Sequence, residues 1–265
     1  MLDGAQNIPS VLETITDLGM DSVALTEHGN LFGAVSFYKK AKDNNIKPII
    51  GCEVYVAKGS RFQKDRSSGM GQYNHLVLIA QNYQGYKNLM KIVTHGYLEG
   101  FYYKPRVDTE ILQKYNEGII CLSACLKGIL PETLIYNGID AGKKVAEEYS
   151  SIFPGRYYIE LQNHGIPEEL QNIQLATRLA KDMNLPIIAT NDAHYAKKEH
   201  YTAHDVHICI GTGKQLSDKN RLKYHGKEFY FKSQDELYSL CKQFPDALEN
   251  ISSIIELLQS IAPPN

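Results

Sequence analysis

Ionisable residues recur at the ends of apolar segments along this sequence. Asp192 and His194 close the β-branched run "LPIIATNDAH", and Glu27 and His28 close "DSVALTEHG" in the same way. Residues of the same types stand at or near the ends of the apolar part of other runs: Glu53, Cys125, Glu160 and His164. Histidine, carboxylate and thiol groups that converge are the usual ligands of zinc, manganese or iron. The pattern therefore favours a metal site.

Six apolar runs of strand length are expected to position these residues: Asp21–Gly29, Lys47–Ala57, His75–Gln81, Gly118–Leu126, Arg156–Gln162 and Leu185–His194. The runs are continuous rather than alternating, which indicates strands covered on both faces. Helical spacing between them, as in Ala34–Asn45 and Pro167–Asn184, predicts alternating β and α units and a largely parallel sheet or barrel. The carboxyl ends of parallel strands form the active sites of such folds. We therefore expect the ionisable residues to meet there.

Each of these residues also has an ordinary explanation. A single histidine near a strand end is more often a hydrogen-bonded structural residue, and Cys125 alone reads as a small buried hydrophobe. Glu27, Glu53 and Glu160 are candidates for helix N-caps or ion-pair partners. The joint pattern favours the metal site, and on an extended segment Asp192 and His194 would point to the same side.

Composition narrows the class of protein. The net charge of −2 over 265 residues gives no overall basic field of the kind that binds nucleic acid. The five cysteines are an odd number without a CxxC pair, so we expect no disulfides and a reducing, cytoplasmic location. No apolar run reaches membrane-spanning length, and the first residues lack the pattern of a secretory signal.

Several segments outside the six apolar runs are expected to form other structure. Met1–Gly19 reads as a loop and a helix without a strand, and Tyr55–Asn74 reads as a mobile loop. We predict a barrel domain over residues 1–210 and a C-terminal extension over 211–265, with a strand candidate at Glu228–Ser233 and a helical region at Gln234–Ser260. His200, His204 and His207 share one helix face, where we favour packing over a zinc site.

One long segment resembles a known family. The stretch "ALTEHGNLFGAVSFYKKAKDNNIKPIIGCEVYVA" (Ala24–Ala57) resembles the PHP (polymerase and histidinol phosphatase) domain at the N-terminus of bacterial replicative DNA polymerase III alpha subunits. The resemblance continues through "NHLVLIAQNYQGYKNLMKI", "GFYYKPRVD", "CLSACLKGILPE", "YYIELQNHG" and "NDAHY", and so covers nearly the whole chain. It implies a distorted (β/α)7 barrel with up to three divalent metal ions in its mouth.

The resemblance also implies a set of metal ligands: Asp3, His28, Glu53, His75, Cys125, Asp192 and His194. Asp3 and His75 belong to the set although neither ends a strand. Zinc or manganese suits such ligands, and Asp192, His194 and His28 are expected to take part in catalysis. Glu27, Glu160 and His164 are then expected to support the ligands or the fold.

The family's first motif is an H-x-H on the first barrel strand, just before "LDGA". This sequence starts at "MLDGA" and contains neither the two histidines nor that strand. We therefore expect the chain to be a piece of a longer protein, shortened at both ends, with an incomplete three-metal centre.

The reaction that the resemblance implies is metal-dependent hydrolysis of a phosphodiester, as in 3′–5′ proofreading at a primer end during DNA replication. DNA, the rest of the polymerase chain and other replisome subunits are the expected partners. Lys104 and Arg106 follow an aromatic pair in "YYKPRVD" and suit a backbone phosphate beside a stacked base; a solvated loop around Pro105 is the equal alternative. Two other functions remain open: a scaffold within the polymerase, and a separate phosphoesterase such as histidinol phosphatase, which the polymerase-type motifs disfavour.

Overall fold

The computed structural model describes residues 3–64, 73–259 and 261. Its strands are β1 Ser22–His28, β2 Lys47–Ala57, β3 Tyr73–Ala80, β4 Phe101–Tyr102, β5 Lys104–Val107, β6 Ile119–Leu122, β7 Tyr157–Leu161 and β8 Ile187–Ala189. Its α-helices are α1 Ile8–Asp17, α2 Ala34–Asp43, α3 Tyr83–Leu98, α4 Thr109–Lys114, α5 Ile129–Asn137, α6 Ile139–Ile152, α7 Pro167–Met183, α8 Tyr201–Thr212, α9 Gln234–Cys241 and α10 Pro245–Leu257.

The eight strands join one open, mixed sheet. The order is β4-β5-β2-β3-β6-β7-β8, and β1 pairs with β2. The β1/β2, β2/β5, β6/β7 and β7/β8 pairs are parallel, whereas β3 is antiparallel to both of its neighbours. The sheet is therefore less parallel than expected. No helix lies in residues 58–64, the described part of the β2–β3 connection, and β3 returns directly beside β2.

The sheet forms a half-barrel with helices around it, which confirms the distorted β/α barrel expected from the sequence. Its inner face carries an apolar cluster in which Ile49, Ile120 and Ile188 pack with Ile254 of α10. Ile49 and Glu53 point to the same side of β2, because side chains two residues apart on a strand share a face. Helix α10 therefore fills the interior on the face that carries Glu53.

The C-terminal part differs from the expectation in one respect. The candidate strand Glu228–Ser233 forms only a single bridge, between Tyr195 and Tyr230. Residues 213–233 otherwise run as an irregular segment, and α9 and α10 follow it. The boundary between residues 210 and 211 stays a prediction.

Other expectations concern single features. All five cysteines are free, as expected. No helix in the described part of the chain combines the length and apolarity that a membrane crossing needs. The expected mobile loop at Tyr55–Asn74 falls partly on residues 65–72, which lie outside the described ranges. Before them Arg61 is buried and pairs with Asp108 at 2.9 Å, so this part of the loop is anchored.

Candidate metal centre

Strand register brings three of the expected ligands to one edge of the sheet. His28 is the last residue of β1 and lies opposite Glu53 of the parallel strand β2. His75 is the third residue of β3, which begins two residues earlier than its apolar run predicts, and it lies opposite Tyr55, near the end of β2, because β3 runs in the reverse direction. The first residues of the antiparallel strand β3 therefore lie at the same edge of the sheet as the last residues of the parallel strands β1 and β2.

A tight turn after β1 fixes the direction of His28. Gly29 has φ +66°, and a Cβ at this position would lie 2.9 Å from atoms of both Tyr55 and Pro105. Glu27 accepts a hydrogen bond from the Gly33 N–H, just before α2. Glu27 thus holds the residue at the start of α2, although the N-cap of this helix is Gly33 and not Glu27.

Cys125 lies in an irregular turn after β6. Ala124 has φ +64°, a conformation that L-residues rarely adopt. The Ala124 N–H donates to Glu160 Oε2 at 2.9 Å, and the Cys125 carbonyl accepts from the Gly128 N–H at 2.7 Å. The buried Glu160 carboxylate therefore holds the turn that presents Cys125.

Asp3 and His194 belong to loops that bind each other. The Ala5 N–H donates to the His194 carbonyl at 2.8 Å, and the Gln6 side chain donates to the Ala193 carbonyl at 3.0 Å. Strand β8 ends at Ala189, and Asp192 has φ +42°. The segment is thus not extended as expected, yet Asp192 Oδ1 lies 3.7 Å from His194 Nδ1 and both residues line one cavity, so the two side chains still lie on the same side.

Six of the seven expected ligands form two adjacent groups. Within each group, one potential ligand atom from every residue lies within 4.8 Å of the others. The first group is Asp3, His28 and His194, and the second is Glu53, His75 and Cys125.

One carboxylate oxygen joins these two groups. Glu53 Oε1 lies 2.7 Å from His28 Nδ1 and 3.0 Å from His75 Nδ1. His28 Nε2 lies 3.1 Å from Asp3 Oδ1, and Cys125 Sγ lies 3.7 Å from His75 Nδ1. The side chains thus form a continuous row from Asp3 to Cys125.

Asp192, the seventh expected ligand, stands in neither group. Its carboxylate retains 26% exposure and lines the same cavity of about 780 Å³ as His28, Glu53, Cys125 and His194. Its backbone carbonyl accepts a hydrogen bond from His194 Nδ1 at 2.8 Å. Asp192 therefore faces the site and orients His194 through the main chain.

The two carboxylates of the row control the charge of His28. Burial alone would lower its pKa, but the contacts with Asp3 and Glu53 outweigh burial and raise the pKa of His28 to about 10. Burial would raise the pKa of Asp3 and of Glu53, but the neighbouring histidines hold both well below their usual values. Burial raises the pKa of the Cys125 thiol well above its usual value. His28 is thus a cation held between the carboxylates of Asp3 and Glu53.

This donor set fits divalent metal ions. Each group combines imidazole with a carboxylate, and the second adds a thiol, which are ligand types of zinc, manganese and iron. The anionic surroundings that hold a proton on His28 also favour a bound cation. We therefore treat Asp3, His28 and His194, and Glu53, His75 and Cys125, as two candidate metal groups.

The residues expected to support the ligands contact the loops behind them. Glu160 is buried, and its carboxylate accepts from Thr190 and Gln162 as well as from Ala124. His164 is buried too: its Nε2–H donates to the Asn191 carbonyl at 2.8 Å, and its Nδ1 contacts the Glu169 carboxylate at 2.6 Å. Both residues thus hold segments that carry Cys125 or Asp192.

The two basic residues expected to bind substrate have different surroundings. Lys104 is half-buried, and its ammonium lies 5.2 Å from the centre of the Tyr55 ring, which in turn contacts the His75 ring. Arg106 is 4% exposed, and its guanidinium donates to the carbonyls of Gly100, Arg61 and Gln63. These contacts give Arg106 a structural role in place of the expected phosphate contact, whereas Lys104 lies beside the site.

Two further residues contact the first group: Tyr224, which sequence reasoning missed, and His204, for which it favoured packing. The Tyr224 hydroxyl lies 2.7 Å from Asp3 Oδ2 and 2.9 Å from His194 Nε2. His204 Nε2 contacts the Asp3 carbonyl at 2.6 Å, so the favoured packing role of this histidine includes a hydrogen bond. Nothing in "RLKYHGKEFY" marks Tyr224, because it follows no strand and its partners are far away in sequence.

The fold and the paired donor groups define a β/α barrel-type protein with a candidate metal centre at its mouth. The chain belongs to the PHP domain family, whose sequence pattern matches residues 1–164. Its relatives include DNA polymerase III subunit alpha of Borreliella burgdorferi, which is 44% identical over 97% of this chain, and that of Treponema pallidum, 42% identical over 97%. The Thermus aquaticus protein of the same name is 40% identical over 97%. The chain spans about 22% of the length of the first two relatives and 21% of the third.

Solved structures that are similar to this chain have lower sequence identity to it than these relatives. An amidohydrolase from Chromobacterium violaceum has a TM-score of 0.47 and 13% identity, and the overlap covers 72% of this chain and 84% of the other. A two-domain protein from Bacteroides vulgatus that contains a predicted PHP-like metal-dependent phosphoesterase has a TM-score of 0.41 and 16% identity, over 89% of this chain and 58% of the other.

Proposed function

We propose that this chain is the PHP part of a DNA polymerase III alpha subunit and that its mouth binds divalent metal ions, zinc or manganese, for phosphodiester hydrolysis at a DNA 3′ end. The observation that carries the proposal is the pair of donor groups joined by Glu53 Oε1. Adjacent metal groups suit a phosphodiester because its attacking and leaving oxygens both need stabilisation. DNA and the remainder of the polymerase are the proposed partners, in the cytoplasm.

Individual residues of the chain would have separate roles in this hydrolysis. Bound metals would polarise the phosphate and lower the pKa of a water. Asp192 stands outside both groups and faces the cavity, so its carboxylate is the proposed acceptor of the proton from the attacking water. Lys104 lies over Tyr55 beside the mouth, where its ammonium would pair with a backbone phosphate.

A 3′-labelled single-stranded oligonucleotide tests this function. We expect the chain with Mn²⁺ or Zn²⁺ to release the terminal nucleotide, and we expect Asp192→Asn to reduce kcat by about 10²-fold or more while metal content stays unchanged. If the chain binds metal but cleaves the oligonucleotide with neither Mn²⁺ nor Zn²⁺, the result would instead support a scaffold role within the polymerase. Absence of both metal binding and cleavage would contradict the proposal.

The role of Lys104 is separable from the chemistry. We expect Lys104→Ala to raise KM by about 3- to 10-fold with little change in kcat, because the lost contact is to a phosphate that does not react. Lys114→Ala is the matched control, since the Lys114 ammonium also lies over a tyrosine ring, at 5.4 Å from the centre of Tyr115. Equal KM values for the two variants would remove Lys104 from the substrate site.

A further inference from the structure

Tyr224 reaches the first metal group from outside the part of the chain that matches the family pattern. That match ends at residue 164, whereas Tyr224 lies in the irregular segment between α8 and α9. Its hydroxyl contacts Asp3 Oδ2 at 2.7 Å and His194 Nε2 at 2.9 Å. The phenol therefore touches two of the three candidate ligands of this group.

The geometry of His194 determines what the Tyr224 hydroxyl can do. His194 Nδ1 contacts the Asp192 carbonyl at 2.8 Å, which requires a proton on Nδ1, so the neutral imidazole carries its lone pair on Nε2. The hydroxyl has one hydrogen and two acceptors, His194 Nε2 and Asp3 Oδ2. Once a metal takes the Nε2 lone pair, Asp3 Oδ2 is the acceptor that remains. The hydroxyl would then hold the Asp3 carboxylate while Oδ1 faces the metal.

Asp3 needs this support because it lies in neither a helix nor a strand itself. Asp3 is bound at two points, its carboxylate by Tyr224 of the C-terminal extension and its carbonyl by His204 Nε2 of α8 at 2.6 Å. The Tyr224 ring is itself fixed between aromatic neighbours, with centre distances of 4.9 Å to Phe229 and 5.1 Å to His204. The position of the hydroxyl is therefore set by packing.

We propose that Tyr224 is a positioning residue that holds Asp3 for metal binding, so that the C-terminal extension completes the first metal group. This inference rests on the proposed metal-binding function. Hydrogen bonds to ligating carboxylates orient them, and loss of such a partner typically costs about 10- to 100-fold in metal affinity. We expect the effect in the group formed by Asp3, His28 and His194, because the Tyr224 hydroxyl contacts two members of that group.

Calorimetric titration of the metal-stripped chain with Zn²⁺ and with Mn²⁺ tests the proposal in wild type, Tyr224→Phe and Tyr86→Phe. Tyr86 is a buried tyrosine of α3, and its variant controls for the loss of a phenol hydroxyl elsewhere. We expect Tyr224→Phe to weaken one class of metal site by about 10- to 100-fold and to leave the other unchanged. We expect Tyr86→Phe to match wild type, and circular dichroism to report the same fold in all three.

The outcomes separate this inference from the function on which it rests. Two sites of unchanged affinity in Tyr224→Phe would overturn the role of Tyr224 and leave the metal centre intact. An equal loss at both sites would also overturn it, because a general destabilisation would then explain the effect. A wild-type chain that binds neither metal would overturn both proposals.

Discussion

Glu53 is the residue on which the two donor groups depend. Its Oε1 contacts the Nδ1 atoms of His28 and His75, and the side chain is almost fully buried. Burial of a carboxylate is unfavourable unless cations or hydrogen-bond donors compensate it. The two histidines provide that compensation in the metal-free protein, and a metal ion would provide it when bound.

Removal of the Glu53 charge should change the titration of His28. We expect Glu53→Gln to lower the pKa of His28 from about 10 by about 1 or more, because one of the two carboxylates that favour the imidazolium is lost. NMR titration of the metal-free protein measures this value directly. Glu13→Gln, on helix α1, is the control and should leave it unchanged. An unchanged pKa in Glu53→Gln would contradict the contact between Glu53 and His28.

Glu160 should make the stability of the metal-free protein depend on pH. Burial raises its pKa from 4.5 to about 7, despite the hydrogen bonds from Thr190, Gln162 and Ala124. The folded protein therefore favours the neutral acid. Protonated Glu160 contributes its full stabilisation of the fold below pH 4.5, and this contribution is lost as the pH rises through about 7. The change corresponds to about 3 kcal/mol in the free energy of unfolding.

Urea denaturation of wild type and Glu160→Gln between pH 4.5 and 8 checks this expectation. The difference in unfolding free energy between the two proteins should change by about 3 kcal/mol in favour of the variant as the pH rises. A constant difference across this range would show that Glu160 titrates with an ordinary pKa. The comparison at several pH values is needed because the variant also alters hydrogen bonds at every pH.

At the scale of the elements, the six apolar runs predicted six of the eight strands, whereas β4, β5 and the direction of β3 were not predictable. Lys47–Ala57 has the bounds that its apolar run predicts, and the run at Asp21–Gly29 becomes β1 Ser22–His28. The reversal of β3 depends on pairing with β2 and β6, which are distant contacts that periodicity does not encode. His75 therefore looked misplaced in the sequence although the sheet puts it beside Glu53.

Helix α10 is the element that fills the half-barrel, and its two faces should respond differently to truncation. Ile254 is 3% exposed against the inner face of the sheet, whereas Leu257 of the same helix is 51% exposed. We expect Ile254→Ala to lower the free energy of unfolding by about 2–5 kcal/mol because it leaves a cavity. We expect about 0.5 kcal/mol or less from Leu257→Ala. Similar losses in chemical denaturation would contradict the placement of α10.

At the scale of the whole molecule, the candidate site was predictable only in part. His28, at the end of β1, and Glu53, opposite it within β2, could be found because parallel strands share an edge. Asp3 and His75 followed from the family resemblance alone. Tyr224 could not be found either way, since an irregular segment folds back over more than two hundred residues of chain to reach Asp3.

The whole-molecule arrangement also explains why Arg106 does not face the site. Its position after an aromatic pair suggested a phosphate contact, but the fold places β5 beside β2 with Arg106 turned toward the carbonyls of residues 61, 63 and 100. Lys104, two residues earlier on the same strand, lies over Tyr55 instead. A local motif could not distinguish the two cations, because the difference arises from what packs against each.

The central claim is that residues from separate strands and loops form metal groups at the mouth, and cobalt titration tests it most directly. Cobalt(II) bound to a thiolate produces a charge-transfer absorption band, and a coordinating thiol loses its proton on binding. We predict that the metal-stripped chain develops this band as Co²⁺ is added. Cys241→Ser should retain the band and Cys125→Ser should lose it. Absence of the band in the wild-type chain, or its persistence in Cys125→Ser, would contradict the account.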